Sequence, residues 1–146
     1  MKKIFLSLIL VSLCMGFPEI GHSAEQLTDG NAVLRDCSLA MDMVQDDYNK
    51  KIKRMKPMPS KKQQNDAMQC MNYVVGFKDA LYVNQVYQEK SGKKSAICFP
   101  KDSIDNRQAV QVVVKYLKGN PILLSQPRAG LVFNAFFYAF YCGNNF

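Results

Sequence analysis

Four widely spaced cysteines constrain the fold of this chain more than any other feature. Cys37, Cys70, Cys98 and Cys142 are separated by 33, 28 and 44 residues, and no two of them form a CxxC pair. Zinc sites and thioredoxin-like redox sites need close cysteine pairs, so this spacing favours disulfide bonds. Four cysteines allow three pairings, and the helix positions described below favour Cys37–Cys70 and Cys98–Cys142.

The start of the chain has the pattern of an export signal. Lys2 and Lys3 precede the apolar run Ile4 to Met15, and a helix breaker follows. This order is typical of a signal peptide, residues 1–23, which we expect to be cleaved after Ser23. Residues 24–146 then form a single domain, which we expect in the periplasm.

Cleavage there would limit the chemistry that the protein can perform. It would remove Cys14 and His22, the only histidine, and would change the formal net charge from +7 to +6. Without histidine, Ser-His-Asp and Cys-His catalysis and His-ligated zinc are excluded. No Gly-rich phosphate loop and no apolar run of 18 residues occurs. We therefore expect no catalytic residue, no metal, no cofactor and no membrane span.

Apolar residues at helical spacing place the first two cysteines on the buried faces of two helices. Asp29 is positioned to cap a helix that runs to about Tyr48, with Cys37 on its apolar face. A longer helix, from about Gln64 to Glu89, carries Cys70 on its own apolar stripe. Antiparallel packing through these faces would bring the two sulfur atoms together.

The aspartates of the first helix and a glycine of the second are interpreted as structural. Asp36 and Asp42 fall on the side of the first helix that we expect to face solvent. Gly76, inside the long helix, is interpreted as a point of close helix approach.

The segment from Lys50 to Lys62 holds seven basic residues and no acidic residue. It is either a mobile connector or a patch for an acidic partner or anionic lipid headgroups. Nucleic acid is disfavoured as a partner, because the segment has no aromatic residue on which bases could stack.

Two further helices are predicted in the second half. The third begins near Asp105 and is capped at its C-terminus by Gly119. The last begins with Ser125 as a cap and Pro127 in its first turn. Its segment Leu131 to Tyr141 is apolar all round, which predicts a helix at the centre of a bundle.

The hairpin formed by the last two helices accounts for the second pair of cysteines. Cys98 precedes the third helix and Cys142 follows the fourth, so an antiparallel pair places them side by side. The predicted fold is all-α, a small bundle of four to five helices stapled by two disulfides.

The order of motifs resembles a known family. The motifs, from about Asp29 to Cys142, are Cys70-Met71-Asn72-Tyr73-Val74-Val75-Gly76-Phe77-Lys78-Asp79-Ala80, Cys98-Phe99-Pro100, Gln108 with Val110, Val112 to Val114 and Lys115 to Leu117, Asn120-Pro121, and Ala129-Gly130-Leu131-Val132 with Ala135-Phe136, Ala139-Phe140 and Cys142. Together they resemble the Rap/Tai immunity proteins of bacterial type VI secretion systems.

The resemblance implies a periplasmic helical protein, often a homodimer, that binds an injected peptidoglycan amidase. Occlusion of the toxin's papain-like cysteine active site would protect the cell and its siblings, so no catalytic residue is required. Relatives insert a helix and a loop into the toxin's cleft. The corresponding partner-binding residues here would be Lys118, Gly119, Asn120, Ile122, Leu123, Leu124 and Gln126.

Some alternatives stay open on the sequence. The segment Ile122 to Leu124 is either a core plug or an exposed hydrophobic anchor. A small periplasmic chaperone or stress protein would suit the eight methionines of the chain. An envelope protein that holds anionic lipid through its lysines is a third hypothesis.

Overall fold

A computed structural model describes residues 28–48 and 58–143. For residues 45–48 it describes the backbone alone. Its elements are α1 (Gly30–Tyr48), α2 (Lys61–Lys90), α3 (Asn106–Gly119), a 3-10 helix (Pro121–Leu123) and α4 (Arg128–Phe140). The described part contains no strand, only two isolated β-bridges. The predicted all-α bundle of four to five helices is confirmed, with four α-helices in the described part. The proposed signal peptide and Lys50 to Pro57 lie outside the described residues.

Two helices begin with a reciprocal capping box. Asp105 caps α3 as predicted, since its carboxylate accepts the Gln108 N–H at 2.7 Å. Gln108 returns the contact by accepting the Asp105 N–H at 3.1 Å. Ser60 and Gln63 make the same exchange at the start of α2. The apolar spacing predicts that α2 begins at about Gln64, but the helix begins at Lys61 because the Ser60 box caps it there.

Both predicted disulfide bonds are confirmed. Cys37 in α1 is joined to Cys70 in α2 across a Cα–Cα distance of 5.3 Å. Cys98, which precedes α3, is joined to Cys142, which follows α4, with Cα atoms 5.1 Å apart. The first bridge is completely buried, whereas both cysteines of the second are half-buried.

A single apolar core lies among the four helices. Each helix contributes one face to it, and the segment before α3 adds Phe99. The Phe99 ring lies 5.9 Å from Phe136 and 5.0 Å from Phe140, both on α4. The buried apolar members are Val33, Cys37, Cys70, Val74, Ile97, Phe99, Ala109, Val110, Val113, Val114, Leu117, Leu131, Val132, Ala135 and Phe136.

Backbone hydrogen bonds hold the extended segment around Cys98 against the end of α4. The Cys98 N–H donates to the Phe140 carbonyl at 2.8 Å, and the Cys142 N–H donates to the Ala96 carbonyl at 3.2 Å. The Phe99 N–H donates to Oε1 of the buried Gln85 side chain at 2.7 Å. These bonds satisfy buried polar groups and fix the position of the second disulfide.

Two expectations about polar and small residues are wrong. Asp36 is only 4% exposed, because its carboxylate accepts two hydrogen bonds from the neighbouring Arg35 guanidinium at the packed edge of α1. Gly76 is not a point of close helix approach, since it is exposed and a Cβ there would meet nothing within 4 Å.

The predicted ends of α3 and α4 also need correction. Asn120, not Gly119, is the C-cap of α3, and Gly119 belongs to the helix. Ser125 does not cap α4, which begins at Arg128 with Pro127 in the N-cap position. The conformation of the residues between the two helices determines where α3 ends and where α4 begins. Nor is α4 surrounded by other helices, because Phe133, Tyr138 and Tyr141 are exposed.

We predict that the two disulfides differ in how readily they are reduced. Mild reductant under native conditions should open Cys98–Cys142 first, because Cys37 and Cys70 are inaccessible. Replacing either cysteine pair by alanine should lower the free energy of unfolding by about 3–4 kcal/mol. Differential alkylation with mass spectrometry and urea denaturation test these results. Equal rates of opening in the folded protein, with the denatured protein as control, would contradict the predicted order.

Candidate functional site

The loop between α3 and α4, residues Asn120 to Pro127, is compact and ordered by local hydrogen bonds. Asn120 Nδ2 donates to the Tyr116 carbonyl at 2.8 Å and satisfies one of the free carbonyls at the end of α3. Pro121 then starts the 3-10 helix with its fixed φ. The Gln126 N–H donates to the Leu123 carbonyl at 2.9 Å. We call this segment the α3–α4 loop.

Backbone groups of the α3–α4 loop bind the start of α1. The Gly30 N–H donates to the Gln126 carbonyl at 3.3 Å, and the Asn31 N–H donates to the Leu124 carbonyl at 3.1 Å. Asn31 Nδ2 adds a bond of 3.1 Å to the same Leu124 oxygen. These bonds use free N–H groups at the start of α1 and fix the loop to a second helix.

Asp29 supports this junction from the other side. Its Oδ1 accepts the Ala32 N–H at 3.0 Å, which confirms the predicted cap of α1. That hydrogen bond is the main reason why the pKa of the Asp29 carboxyl lies below its ordinary value. Asp29 also forms a β-bridge with Pro127 at the end of the loop. The cap of α1 and the end of the α3–α4 loop therefore meet at Asp29.

The junction requires a glycine at position 30. Gly30 is buried, and a Cβ atom there would lie 2.5 Å from Leu131 Cδ1 and 2.9 Å from the Leu124 carbonyl oxygen. Since one of these neighbours is backbone, a side chain would displace the loop itself. We call the contacts of Gly30 and Asn31 with the loop the Gly30 junction.

The junction divides the apolar residues of the loop into two groups. Leu123 and Leu124 are half-buried and pack against the core. Ile122 points away from it and is 87% exposed. Leu123 and Leu124 therefore match the core plug, and Ile122 has the exposure that an anchor requires. The other residues predicted to bind a partner, Lys118, Gly119 and Gln126, are exposed, and Asn120 is half-buried.

An aromatic surface on α4 is a second candidate that the sequence did not define. Phe133, Phe137 and Tyr141 follow one another at intervals of four residues, with ring centroids 5.9 Å and 5.0 Å apart. Tyr138 is 69% exposed and stacks on Tyr116 of α3, with centroids 5.8 Å apart. We call these five residues the α4 aromatic face. Their helical spacing predicts a shared face, but spacing alone does not reveal exposure.

The described residues also form an open cleft of about 410 Å³ between α1 and the start of α2. Its charged side chains are paired with each other: Arg35 with Asp36 at 2.7 Å and Lys62 with Asp66 at 3.0 Å. The lining residues are Arg35, Asp36, Leu39, Lys62, Gln63 and Asp66. This set offers neither a nucleophile nor an unpaired buried charge.

The described part of the chain provides no obvious reactive centre. It contains no group of three or more His, Cys, Asp or Glu side chains that could hold a metal ion. The four cysteines within it are oxidised to disulfides. None of its helices is both long and apolar enough to cross a membrane. Its distinctive surfaces are a fixed loop with an exposed isoleucine and an exposed aromatic face.

These features define a small, disulfide-bonded helical domain with surfaces suited to binding another protein. The family of Rap1a immunity proteins matches residues 29–142, and the chain belongs to that family. No curated protein and no solved structure matches it. The matched region begins at the cap of α1 and ends at the last cysteine, so it contains both disulfides and the α3–α4 loop.

We predict that Gly30→Ala lowers the free energy of unfolding by about 1–3 kcal/mol, because the added methyl group overlaps Leu124 and Leu131. Gly76→Ala is the matched control. It should raise stability by about 1 kcal/mol, since the site is exposed, helical and open. Urea denaturation measures both changes. A Gly30→Ala protein as stable as the wild type would show that the Gly30 junction is not tightly packed.

Proposed function

We propose that this protein is a periplasmic immunity protein that binds a peptidoglycan amidase effector of a type VI secretion system. It would occlude the papain-like cysteine active site of the effector and so protect the cell and its siblings. Membership of the Rap1a immunity family supports the immunity function. The observation that carries the mechanism is Ile122, which is 87% exposed on a loop fixed to α1 by backbone hydrogen bonds.

The α3–α4 loop is suited to occlusion because it is ordered before it binds. A mobile loop would lose conformational freedom on entering a cleft, and that loss weakens binding. Here, hydrogen bonds from Gly30 and Asn31 already hold the backbone of the loop at Gln126 and Leu124. An exposed isoleucine on such a loop can fill an apolar pocket at little entropic cost. Inhibition of this kind is stoichiometric and uses no catalytic residue.

Export is supported by the disulfide bonds. Disulfides form and persist in oxidising compartments such as the bacterial periplasm. All four cysteines after the proposed cleavage site are joined in two bridges. We therefore propose that residues 1–23 direct export and that residues 24–146 form the mature domain.

We predict that the product of the adjacent reading frame lyses cells when it is sent to the periplasm alone. Coexpression with this protein should restore survival, and the two proteins should copurify. Ile122→Ala should raise the dissociation rate at least tenfold, because a buried apolar anchor is lost. Val83→Ala on α2 is the control, since Val83 is also exposed and apolar at 66%.

Three results would contradict this proposal. The adjacent product could be harmless, this protein could fail to prevent lysis, or Ile122→Ala and Val83→Ala could weaken binding equally. Suppression of aggregation of many unrelated proteins would instead favour the chaperone hypothesis.

We also propose that the protein is a homodimer that packs through the α4 aromatic face. After Arg128, α4 carries no charged side chain. Two copies of a chain with a formal net charge of +6 after the proposed cleavage can associate there without burying charge. Exposed aromatic side chains are also enriched at the centres of protein interfaces.

We predict that Tyr138→Lys raises the dissociation constant of the dimer at least tenfold, because it would bury two unpaired charges at the symmetric contact. Tyr87→Lys on α2 is the matched control, since Tyr87 is 66% exposed and Tyr138 is 69% exposed. Sedimentation equilibrium measures both variants. A wild-type protein that is monomeric at all concentrations, or a Tyr87→Lys variant that dissociates equally, would exclude this interface.

A further inference from the structure

The charges of this chain are divided sharply along its length. All twelve acidic residues occur at or before Asp105, so no acidic residue lies in 106–146. Four basic residues do lie there: Arg107, Lys115, Lys118 and Arg128. The region with this bias contains α3, the α3–α4 loop and α4.

Three of the four bases form a row on the solvent side of α3. Arg107, Lys115 and Lys118 are exposed, and Gln111 lies between them on the same side. The row extends about 16 Å along the helix, at 1.5 Å per residue. Its C-terminal end leads directly into the 3-10 helix that carries Ile122. We call Arg107, Gln111, Lys115 and Lys118 the α3 ridge.

No carboxylate of the described residues forms an ion pair with the bases of the α3 ridge. Two bases of α2 are neutralised locally, Lys62 by Asp66 at 3.0 Å and Lys78 by Asp79 at 3.1 Å. Arg128 differs too, because its guanidinium lies over the Tyr73 ring at 4.4 Å. Exposed charges act over a Debye length of about 8–10 Å at physiological salt. Lys115 and Lys118 therefore place positive charge beside the exposed isoleucine, and Arg107 adds a third base about 12 Å further along the helix.

Helix stability explains part of this pattern but not all of it. Lys118 lies in the last turn of α3, where a positive charge favours the helix dipole. Arg107 lies in the first turn, where a positive charge is unfavourable. A purely structural role therefore does not explain why the whole ridge is basic.

We propose that the α3 ridge docks on an acidic protein surface and accelerates association with it, while Ile122 slows dissociation. The inference rests on the proposed function for the identity of that partner, the effector. Beyond the proposed function, we infer that the surface of the effector that faces α3 is acidic. Complementary charge raises association rates more than it raises affinity, so the effect depends on salt.

A probe of known chemistry tests the ridge without the effector. The ¹⁵N-labelled protein is titrated with a short poly-L-glutamate peptide, and the amide shifts are followed by NMR. Shifts concentrated at Arg107 to Ile122 are expected. Shifts confined to Lys50–Lys62 or to Lys90–Lys94 would overturn the inference. Vesicles of phosphatidylcholine with phosphatidylglycerol form a second arm, and perturbation of the ridge by vesicles but not by the peptide would overturn it in favour of lipid.

Association kinetics with the copurifying effector test the functional consequence. The R107Q/K115Q/K118Q variant should lower the association rate about tenfold at low salt and flatten its salt dependence. The K90Q/K93Q/K94Q variant removes the same charge from exposed positions at the end of α2, and its rate should change less than twofold. Thermal unfolding followed by circular dichroism checks that both variants fold. Equal slowing of both variants, or no slowing of either, would overturn the inference.

The two arms separate the inference from the proposed function. Peptide shifts on the ridge, together with failure of the toxicity rescue, would support an acidic partner and exclude the proposed effector. Successful rescue, with no peptide shifts on the ridge and unchanged kinetics in R107Q/K115Q/K118Q, would support immunity and exclude electrostatic docking through α3.

Discussion

The Cys37–Cys70 bridge joins α1 to α2 inside the core, and the position of the α3–α4 loop, the proposed binding surface, depends on it. Cys37 lies seven residues after Gly30, which is about 10 Å along the helix. A fixed α1 therefore places the Gly30 junction, and the junction places the α3–α4 loop. The Cys98–Cys142 bridge fixes the opposite end of the same α3–α4 unit. Between these two constraints, Ile122 has little freedom to move relative to the core.

The regular parts of this fold could be predicted from the sequence because they depend on local spacing. The cysteines at 37 and 70 fall on apolar helical faces, and antiparallel packing of those faces determines their pairing. Asp105 marks the start of α3 because an aspartate cap acts on the next few residues alone. The family resemblance, which extends over most of the chain, agrees with the region that the Rap1a family matches.

Several incorrect predictions concern contacts that the helical spacing of apolar residues does not encode. Asp36 is buried because the adjacent Arg35 neutralises it, so its position on the helix wheel was misleading. Within the described structure no packing contact requires glycine at position 76, whereas the long-range contacts with Leu124 and Leu131 require it at position 30. For the same reason, the sequence placed Ile122 to Leu124 in the site without separating the exposed residue from the two that pack inward.

The division of charge along the chain separates α1 and α2 from the surface proposed to bind a partner. In α1 and α2, acidic and basic side chains are interspersed and several are paired, which keeps the local potential low. From α3 onward, acidic residues are absent, and the exposed surface carries basic and aromatic side chains among neutral ones such as Ile122 and Gln126. Interspersed charges would keep both halves of the chain equally soluble, so solubility does not explain the asymmetry of charge. The asymmetry therefore supports the proposed binding of a partner.

The rigidity of the α3–α4 loop favours one specific partner over many. Binding proteins with broad specificity use flexible surfaces, often rich in methionine, that repack around each client. The exposed methionines described here, Met58 and Met68, lie near the start of α2 and not on the loop. The loop instead presents a β-branched isoleucine on a backbone whose carbonyls are already bound to α1. Such a surface discriminates by shape, because any cleft that does not match it leaves the isoleucine exposed and the nearby lysines unpaired.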